Sequence, residues 1–126
     1  MSLRATQKVI YHICPEKVWR EAKMIGFYLG PKDTSEKFIH FSPFSEIVES
    51  ASKYYMGLDN LVLLWVKEKN IYPGILQWEM SRNEKQFPHI YGSISINCVF
   101  RVDLLTLDKH CKHIFPSDMM DMVEVP

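Results

Sequence analysis

The chain has 126 residues, of which 47% are hydrophobic and 13% are aromatic, and its 15 basic residues balance 15 acidic ones. This length matches one domain, and the apolar content suffices for a packed core, which excludes a disordered chain and argues against a second core. The zero net charge gives no reason to expect a polyanion or an anionic membrane as main partner, so neither DNA nor a membrane is expected.

The cysteines and the short apolar segments indicate the compartment. Cys14, Cys98 and Cys111 are widely spaced and form no C-x-x-C pair. The first residues contain no apolar region typical of a signal peptide. The longest apolar stretch, residues 61–66, is far below the roughly 20 residues of a transmembrane helix. We therefore expect a reduced, cytoplasmic protein without a membrane span.

The first predicted elements are a strand and a helix. Residues 8–13 are rich in β-branched and aromatic side chains and predict a strand, with His12 as the polar residue near its end. Pro15 closes this strand and suits the first turn of a helix. Apolar residues then recur at helical spacing, and Gly26 is expected to end the helix. These apolar residues are Val18, Ala22 and Ile25.

A loop, a short strand and a second helix follow. Residues 30–35 have the composition of a loop, and residues 38–41 predict a short apolar strand. Ser42 and Pro43 form a strong helix start, with a hydroxyl at the N-cap and proline at the first helical position. Gly57 is expected to end this helix, whose apolar residues lie on one face. They are Phe44, Ile47, Val48, Ala51 and Tyr55.

The second half of the chain predicts mostly strands. Residues 61–66 are entirely apolar and predict a central strand, and residues 76–80 predict another. Residues 87–92 are interpreted as a loop that enters a strand pair, because polar and apolar residues alternate over residues 93–98, before residues 99–104. Residues 105–126 lose this pattern and predict a methionine-rich tail that packs loosely or on a partner.

The order of these elements predicts the fold class. A β-α-β-α order followed by several strands is typical of an α+β domain, here with two helices on a mixed or antiparallel sheet of about five or six strands. The whole chain, residues 1–126, is then one domain with its core at residues 8–104.

Three polar residues stand out in the predicted strands. His12 is a lone strand histidine, which is more often structural than functional. His40 lies where a strand meets a helix, a place where helix N–H groups face a ligand; alternatively, it bonds a carbonyl while Ser42 caps the helix. Glu79 lies in an apolar strand, so its carboxylate must be paired, exposed at an edge or functional.

Residues 87–92 combine features of a ligand-binding wall. Pro88 is rigid, Gly92 permits unusual backbone angles, and the rings of His89 and Tyr91 carry polar tips. The alternative is an ordinary loop packed on the core.

A metal site is not expected. His110, Cys111 and His113 lack the second ligand pair of a tetrahedral site. The chain also contains no glycine-rich phosphate loop and no nucleophile elbow.

Four short motifs occur in one order: Tyr-His-Ile at residues 11–13, Phe-Ile-His-Phe-Ser at 38–42, Trp-Glu at 78–79 and Phe-Pro-His-Ile-Tyr-Gly at 87–92. Together they resemble the bacterial family catalogued as domain of unknown function 952, over the predicted core. Phe41 departs from the family pattern, since many members carry cysteine there. The resemblance implies no established activity. It implies an ADP-ribosyltransferase-like fold with an NAD-type cleft in a split, strongly curved sheet.

A weaker similarity is to the small bacterial ADP-ribosyltransferases that inactivate rifamycin antibiotics. Tyr-His at residues 11–12 matches their first strand, His40 takes the place of a tyrosine, and Glu79 falls near their acidic position. The similarity implies catalytic roles for His12, His40 and Glu79, with NAD as co-substrate. It implies a binding role for six further residues, namely Tyr11, Ser42, Phe87, His89, Tyr91 and Gly92.

The resemblance implies a separate role for each of these side chains. His12 would bond a ribose hydroxyl or the diphosphate, and His40 would lie against the nicotinamide ring. Glu79 would bond the ribose 2′-hydroxyl and stabilise positive charge as the N-glycosidic bond opens. His89 and Tyr91 would close the wall and select the acceptor.

Several functions remain open at this level. The first is an NAD-consuming ADP-ribosyltransferase or glycohydrolase, and the second is a module that binds a nucleotide or metabolite without turnover. A third is an enzyme that processes an RNA 2′-phosphate, which would need a basic track beside the pocket. A fourth is a structural protein that binds a partner through its methionine-rich tail.

Overall fold

The computed structural model describes residues 8–30, 37–81 and 84–120. The loop expected at residues 30–35 lies, beyond Gly30, outside this part of the chain. In chain order the helices and strands are β1 Val9–Pro15, α1 Glu16–Ile25, β2 Phe27–Tyr28, β3 Ile39–His40, β4 Ser42–Pro43, α2 Phe44–Tyr54, β5 Leu61–Lys67, β6 Leu76–Met80, β7 Gln86–Ile90, β8 Ile94–Ser95, β9 Val99–Leu107, β10 His113–Ile114 and α3 Ser117–Met120.

The described strands pair antiparallel and form a curled half-barrel. Its larger part has the order β10-β9-β5-β1-β4, its smaller part has the order β3-β7-β6, and β2 pairs with β8. Phe41 links the five-stranded sheet to the three-stranded sheet, because it connects β3 to β4 and its N–H donates to the Pro88 carbonyl at 2.9 Å. The α+β class is confirmed, with more and shorter strands than the five or six expected.

The core lies on both faces of β5, which is central as predicted. Alternate residues of this strand point to opposite faces. On one face, Val62 and Leu64 pack with Trp19 of α1. On the other face, Leu63 and Trp65 pack with residues of α2. Because the smaller sheet also contributes to the α1 side of the core, it closes over the same face as α1.

The predicted loop at residues 87–92 is wrong, because residues 86–90 form β7, the middle strand of the smaller sheet. Proline in a middle strand normally removes a ladder hydrogen bond. Here β3 ends at His40, one residue before the position opposite Pro88, and the Pro88 carbonyl still accepts from the Phe41 N–H. The strand expected through residues 93–98 is also interrupted, since Ile96–Cys98 forms a turn of 3-10 helix.

The two long helices begin and end close to the predicted positions. Gly26 ends α1 with a φ of +100°, as expected for a left-handed C-cap. The predicted N-cap at Ser42 is wrong, because Ser42 pairs with Tyr11 in the sheet and its Oγ lies 3.3 Å from that of Ser50. The second helix ends at Tyr54, before Gly57. No helix of the described residues is long and apolar enough to cross a membrane.

Beyond Leu105, the described chain packs on the core through Met119 and Phe115. Met119 of α3 is completely buried, on the face of the large sheet that α2 also covers. Arg101 of β9 donates to both carboxylate oxygens of Asp118, at 2.7 and 2.9 Å, and so holds α3. The packing predicted to be loose is tight at Met119, whereas the side chains of residues 106–118 are exposed or half-buried. Residues 121–126 lie outside the described chain.

We expect Met119→Ala to lower the free energy of unfolding by about 2 to 5 kcal/mol, because it leaves a cavity in the core. Met24→Ala is the matched control, since Met24 is 85% exposed on α1 and its loss should change stability by less than about 0.5 kcal/mol. Urea unfolding of both variants measures the difference. If Met119→Ala and Met24→Ala lowered the free energy of unfolding by the same amount, the packing of α3 on the core would be contradicted.

Candidate functional site

A cluster of polar and aromatic side chains lies on the outer face of the smaller sheet. We call it the outer-face cluster, and it consists of Phe38, His40, Glu79, His89 and Tyr91. Strand pairing brings its members together, because His40 lies directly opposite His89 across β3 and β7. Their neighbours in the strands, Ile39 and Ile90, point to the opposite face and are buried in the core.

Glu79 is the centre of the hydrogen bonding in this cluster. Its Oε1 lies 2.6 Å from Nδ1 of His89 and accepts a 2.6 Å hydrogen bond from the Tyr91 hydroxyl. The bond from Tyr91 and then that from His89 hold the pKa of Glu79 below its usual range. The hydrogen bond to Glu79 raises the pKa of the Tyr91 hydroxyl. Because Nδ1 faces a carboxylate, it carries a proton, and Nε2 of a neutral His89 is left as the acceptor.

The aromatic rings of the cluster make close contacts. Phe38 stacks on His89 with 4.1 Å between ring centroids and 21° between planes. His40 meets both rings edge-on, each at 4.8 Å. Tyr91 lies 5.2 Å from Phe38. The result is a partly exposed surface of planar rings beside an ionised carboxylate, which suits a ligand with a flat ring and hydroxyl groups.

His12 is not part of this surface, because its side chain points into the core and is only 3% exposed. Its Nδ1 donates to the backbone carbonyl of His40 at 2.5 Å, and its Nε2 accepts from the Tyr28 hydroxyl at 2.5 Å. Burial lowers the pKa of His12 from 6.5 to about 4, so the ring is neutral near pH 7. His12 therefore lies behind the backbone of His40, while the His40 ring faces outward.

The structure thus divides the residues singled out in the sequence. It brings His40, Glu79, His89 and Tyr91 together. Two more adjoin them along the strands, since Phe87 pairs with Glu79 and Gly92 directly follows Tyr91. The structure leaves three residues elsewhere: His12 in the core, Tyr11 on the α2 side of the large sheet, and Ser42 beside α2.

Two residues were missed in the sequence: Phe38, which belongs to the outer-face cluster, and Tyr28, which bonds His12 in the core. Phe38 precedes His40 by two residues, so strand alternation alone would place both rings on one face. Tyr28 has no comparable signal, because it lies in a two-residue strand whose pairing with β8 depends on the tertiary fold. Among the described residues, no group of three or more histidine, cysteine and acidic side chains is arranged to hold a metal ion.

The comparisons with known proteins identify the family. The sequence profile described as protein of unknown function (DUF952) matches residues 13–102, so the chain belongs to this family. The crystal structure of protein CC0527 from Caulobacter crescentus is similar with a TM-score of 0.82 and 33% identity, covering 89% of this chain and 98% of that one. A solution structure of CC0527 gives a TM-score of 0.71 and 36% identity, with coverages of 82% and 90%. No curated protein matches the chain significantly.

We expect the buried His12 to make the fold sensitive to acid. The unfolded chain protonates this histidine below about pH 6.5, whereas the folded chain resists protonation until about pH 4. Above about pH 6.5 the neutral, buried His12 therefore contributes its full stabilisation. As the pH falls from 6.5 to about 4, the free energy of unfolding drops by about 3 kcal/mol. His12→Gln should remove that part of the pH dependence.

Urea unfolding at about pH 7 and about pH 4.5 measures this loss. His110→Gln is the matched control, because His110 is exposed and its replacement should leave the pH dependence unchanged. An identical loss of stability in the wild type and His12→Gln would contradict a neutral, buried His12.

We expect Tyr91→Phe to raise the pKa of Glu79, since the Tyr91 hydroxyl is the largest cause of its lowering. Carboxyl-carbon NMR titration measures the change. Tyr72→Phe serves as the control, because Tyr72 is 76% exposed and lies outside the cluster. An unchanged titration of Glu79 in Tyr91→Phe would contradict this hydrogen bond.

Proposed function

We propose that the outer-face cluster of this DUF952 protein binds a nucleotide-type ligand, with NAD as the first candidate, and acts on its N-glycosidic bond. The observation that carries the proposal is the Glu79 carboxylate, held ionised by His89 and Tyr91 next to the stacked rings of Phe38 and His89. An anionic group at such a surface is suited to stabilise an oxocarbenium-like ribose.

Each side chain then has a distinct part. The rings of Phe38 and His40 offer flat surfaces for nicotinamide or adenine. Both donors to Glu79 bind Oε1, which leaves Oε2 for a ribose hydroxyl. His12 acts from the core as a positioning residue, because it holds the carbonyl of His40.

The proposed step is a transfer at ribose C1′. The bond from C1′ to the nicotinamide nitrogen breaks, and its electron pair leaves with nicotinamide. The oxygen of water or of another acceptor forms the new bond to C1′, and its proton passes to Nε2 of His89. Glu79 keeps Nδ1 of His89 protonated, so Nε2 is the nitrogen that accepts.

Two further features agree with the proposal. The half-barrel divides between a large and a small sheet at Phe41, which supports kinship with the split sheet of the ADP-ribosyltransferase-like fold. Cys14, Cys98 and Cys111 are all free thiols, which supports a reducing, cytoplasmic setting.

The second candidate is a module that binds the same ligand class without turnover. The side chain of Glu79 is 40% exposed on an open sheet face. Catalysis on a glycosidic bond benefits when water is excluded from the site. The exposure of this carboxylate is the observation that supports recognition without turnover as the second candidate. The RNA 2′-phosphate alternative stays a prediction, since no contact in the cluster favours it over a nucleotide.

The test combines thermal shifts with an assay for nicotinamide release. We expect NAD and ADP-ribose to stabilise the chain. We expect Glu79→Gln to keep this shift while nicotinamide release falls about 100-fold to 1000-fold, because a transition-state interaction is lost. Glu49→Gln is the matched control, an exposed carboxylate on α2 that should change neither measurement.

The outcomes separate the two candidates. Stabilisation by NAD without any nicotinamide release by the wild type would leave the binding module as the function. No stabilisation by NAD, ADP-ribose or AMP would overturn both candidates.

A further inference from the structure

Glu79 differs from other paired carboxylates of this chain in the charge of its partners. The carboxylates that are ion-paired with arginine or lysine include Glu16, Glu46, Asp103 and Asp118. Among the described residues, no arginine or lysine forms an ion pair with Glu79, whose partners are the phenol of Tyr91 and the imidazole of His89. Neutral donors keep a carboxylate ionised without cancelling its charge. With His89 neutral, the outer-face cluster therefore keeps a net negative charge.

The lysine on this face of the smaller sheet does not compensate that charge. The Ser81 N–H donates to the Lys85 carbonyl at 2.7 Å, so the hairpin of β6 and β7 continues to Lys85. Strand alternation places Lys85 on the same face as Phe87 and His89. Its Nζ, however, lies 3.3 Å from both carboxylate oxygens of Glu46. The charge of Lys85 is thus paired with a carboxylate of α2.

Aromatic faces lie directly beside the Glu79 carboxylate. The Tyr91 ring is inclined by 50° to that of Phe38, with 5.2 Å between centroids, so the two rings form a corner rather than a flat stack. Tyr91 is 38% exposed, and its hydroxyl bonds Glu79, which places the carboxylate at the edge of the Tyr91 ring. A cation over such a ring is attracted both by the ring and by the carboxylate.

We infer that the outer-face cluster selects ligands whose planar ring carries a positive charge, and that its ligand class is the N-substituted pyridinium cations. The inference rests on the proposed function and narrows it to the oxidised, cationic form of the nicotinamide ring. A carboxylate beside aromatic faces is suited to bind an organic cation. A neutral ring of the same shape can stack in the same way, but it lacks the attraction to Glu79.

The charge of the ring also matters for the proposed reaction. When the bond from C1′ to the ring nitrogen breaks, the electron pair leaves with nicotinamide, and the positive charge passes to the ribose. Glu79 then stabilises this ribose, while the leaving ring has become neutral. The cluster therefore holds the substrate ring more tightly than the released nicotinamide, which favours the departure of this product.

Two small isosteres test the charge selection without a glycosidic bond. N1-methylnicotinamide is a cation, and 3-methylbenzamide has the same shape with carbon in place of the ring nitrogen. At about pH 8 an ordinary imidazole is neutral and a carboxyl group is ionised. NMR titration of the full chain at this pH should find the cation bound at least about fivefold more tightly, with shifts at the rings of Phe38 and Tyr91.

Three variants identify the source of the preference. Glu79→Gln should abolish the preference for the cation, because the rings remain and the charge is lost. Tyr91→Phe should retain it, because both the ring and the ionised carboxylate remain. Glu49→Gln is the matched control, an exposed carboxylate on α2 that should leave both affinities unchanged. Circular dichroism checks that each variant folds.

The outcomes separate this inference from the proposed function. Equal affinities for the two isosteres, no binding of the cation, or a preference retained in Glu79→Gln would each overturn the charge selection. If NAD still stabilised the chain in those cases, the proposed function would stand without it. Selective binding of the cation by a chain that NAD does not stabilise would support the charge selection and overturn the proposed function.

Discussion

The imidazole of His12 connects the separate parts of this fold. It belongs to β1 of the large sheet, donates to the carbonyl of His40 in the smaller sheet, and accepts from the hydroxyl of Tyr28 in the β2 and β8 pair. Leaving a buried polar group without its partner destabilises a fold by about 1 to 3 kcal/mol. The two hydrogen bonds of His12 therefore fix the positions of His40 and Tyr28 relative to β1. Since the ring is neutral, it meets this requirement without burying a charge. The orientation of the β3 backbone, and hence of the His40 ring outside, depends on this contact.

Long, regular segments were predictable from the sequence. The apolar run of β5 predicted a central strand, and Gly26 correctly marked the end of α1, because both signals are local. The strand β7 was missed because Pro88 and Gly92 are typical of loops. The pairing of Phe41 with Pro88 that accommodates this proline joins residues far apart in sequence. The burial of Met119 was missed for the same reason, since its neighbours in the core belong to distant strands.

The site was predictable in its members but not in its arrangement. Strand alternation distinguishes two faces, but the sequence alone does not tell which face meets the core. His12 and His40 therefore looked equivalent, although one ring is buried and the other is exposed. The contact between Glu79 and His89 depends on the register of β6 against β7, which is fixed by tertiary packing. Once residues 86–90 are known to form a strand, alternation places His89 on the outer face and pairing with β3 brings it to His40.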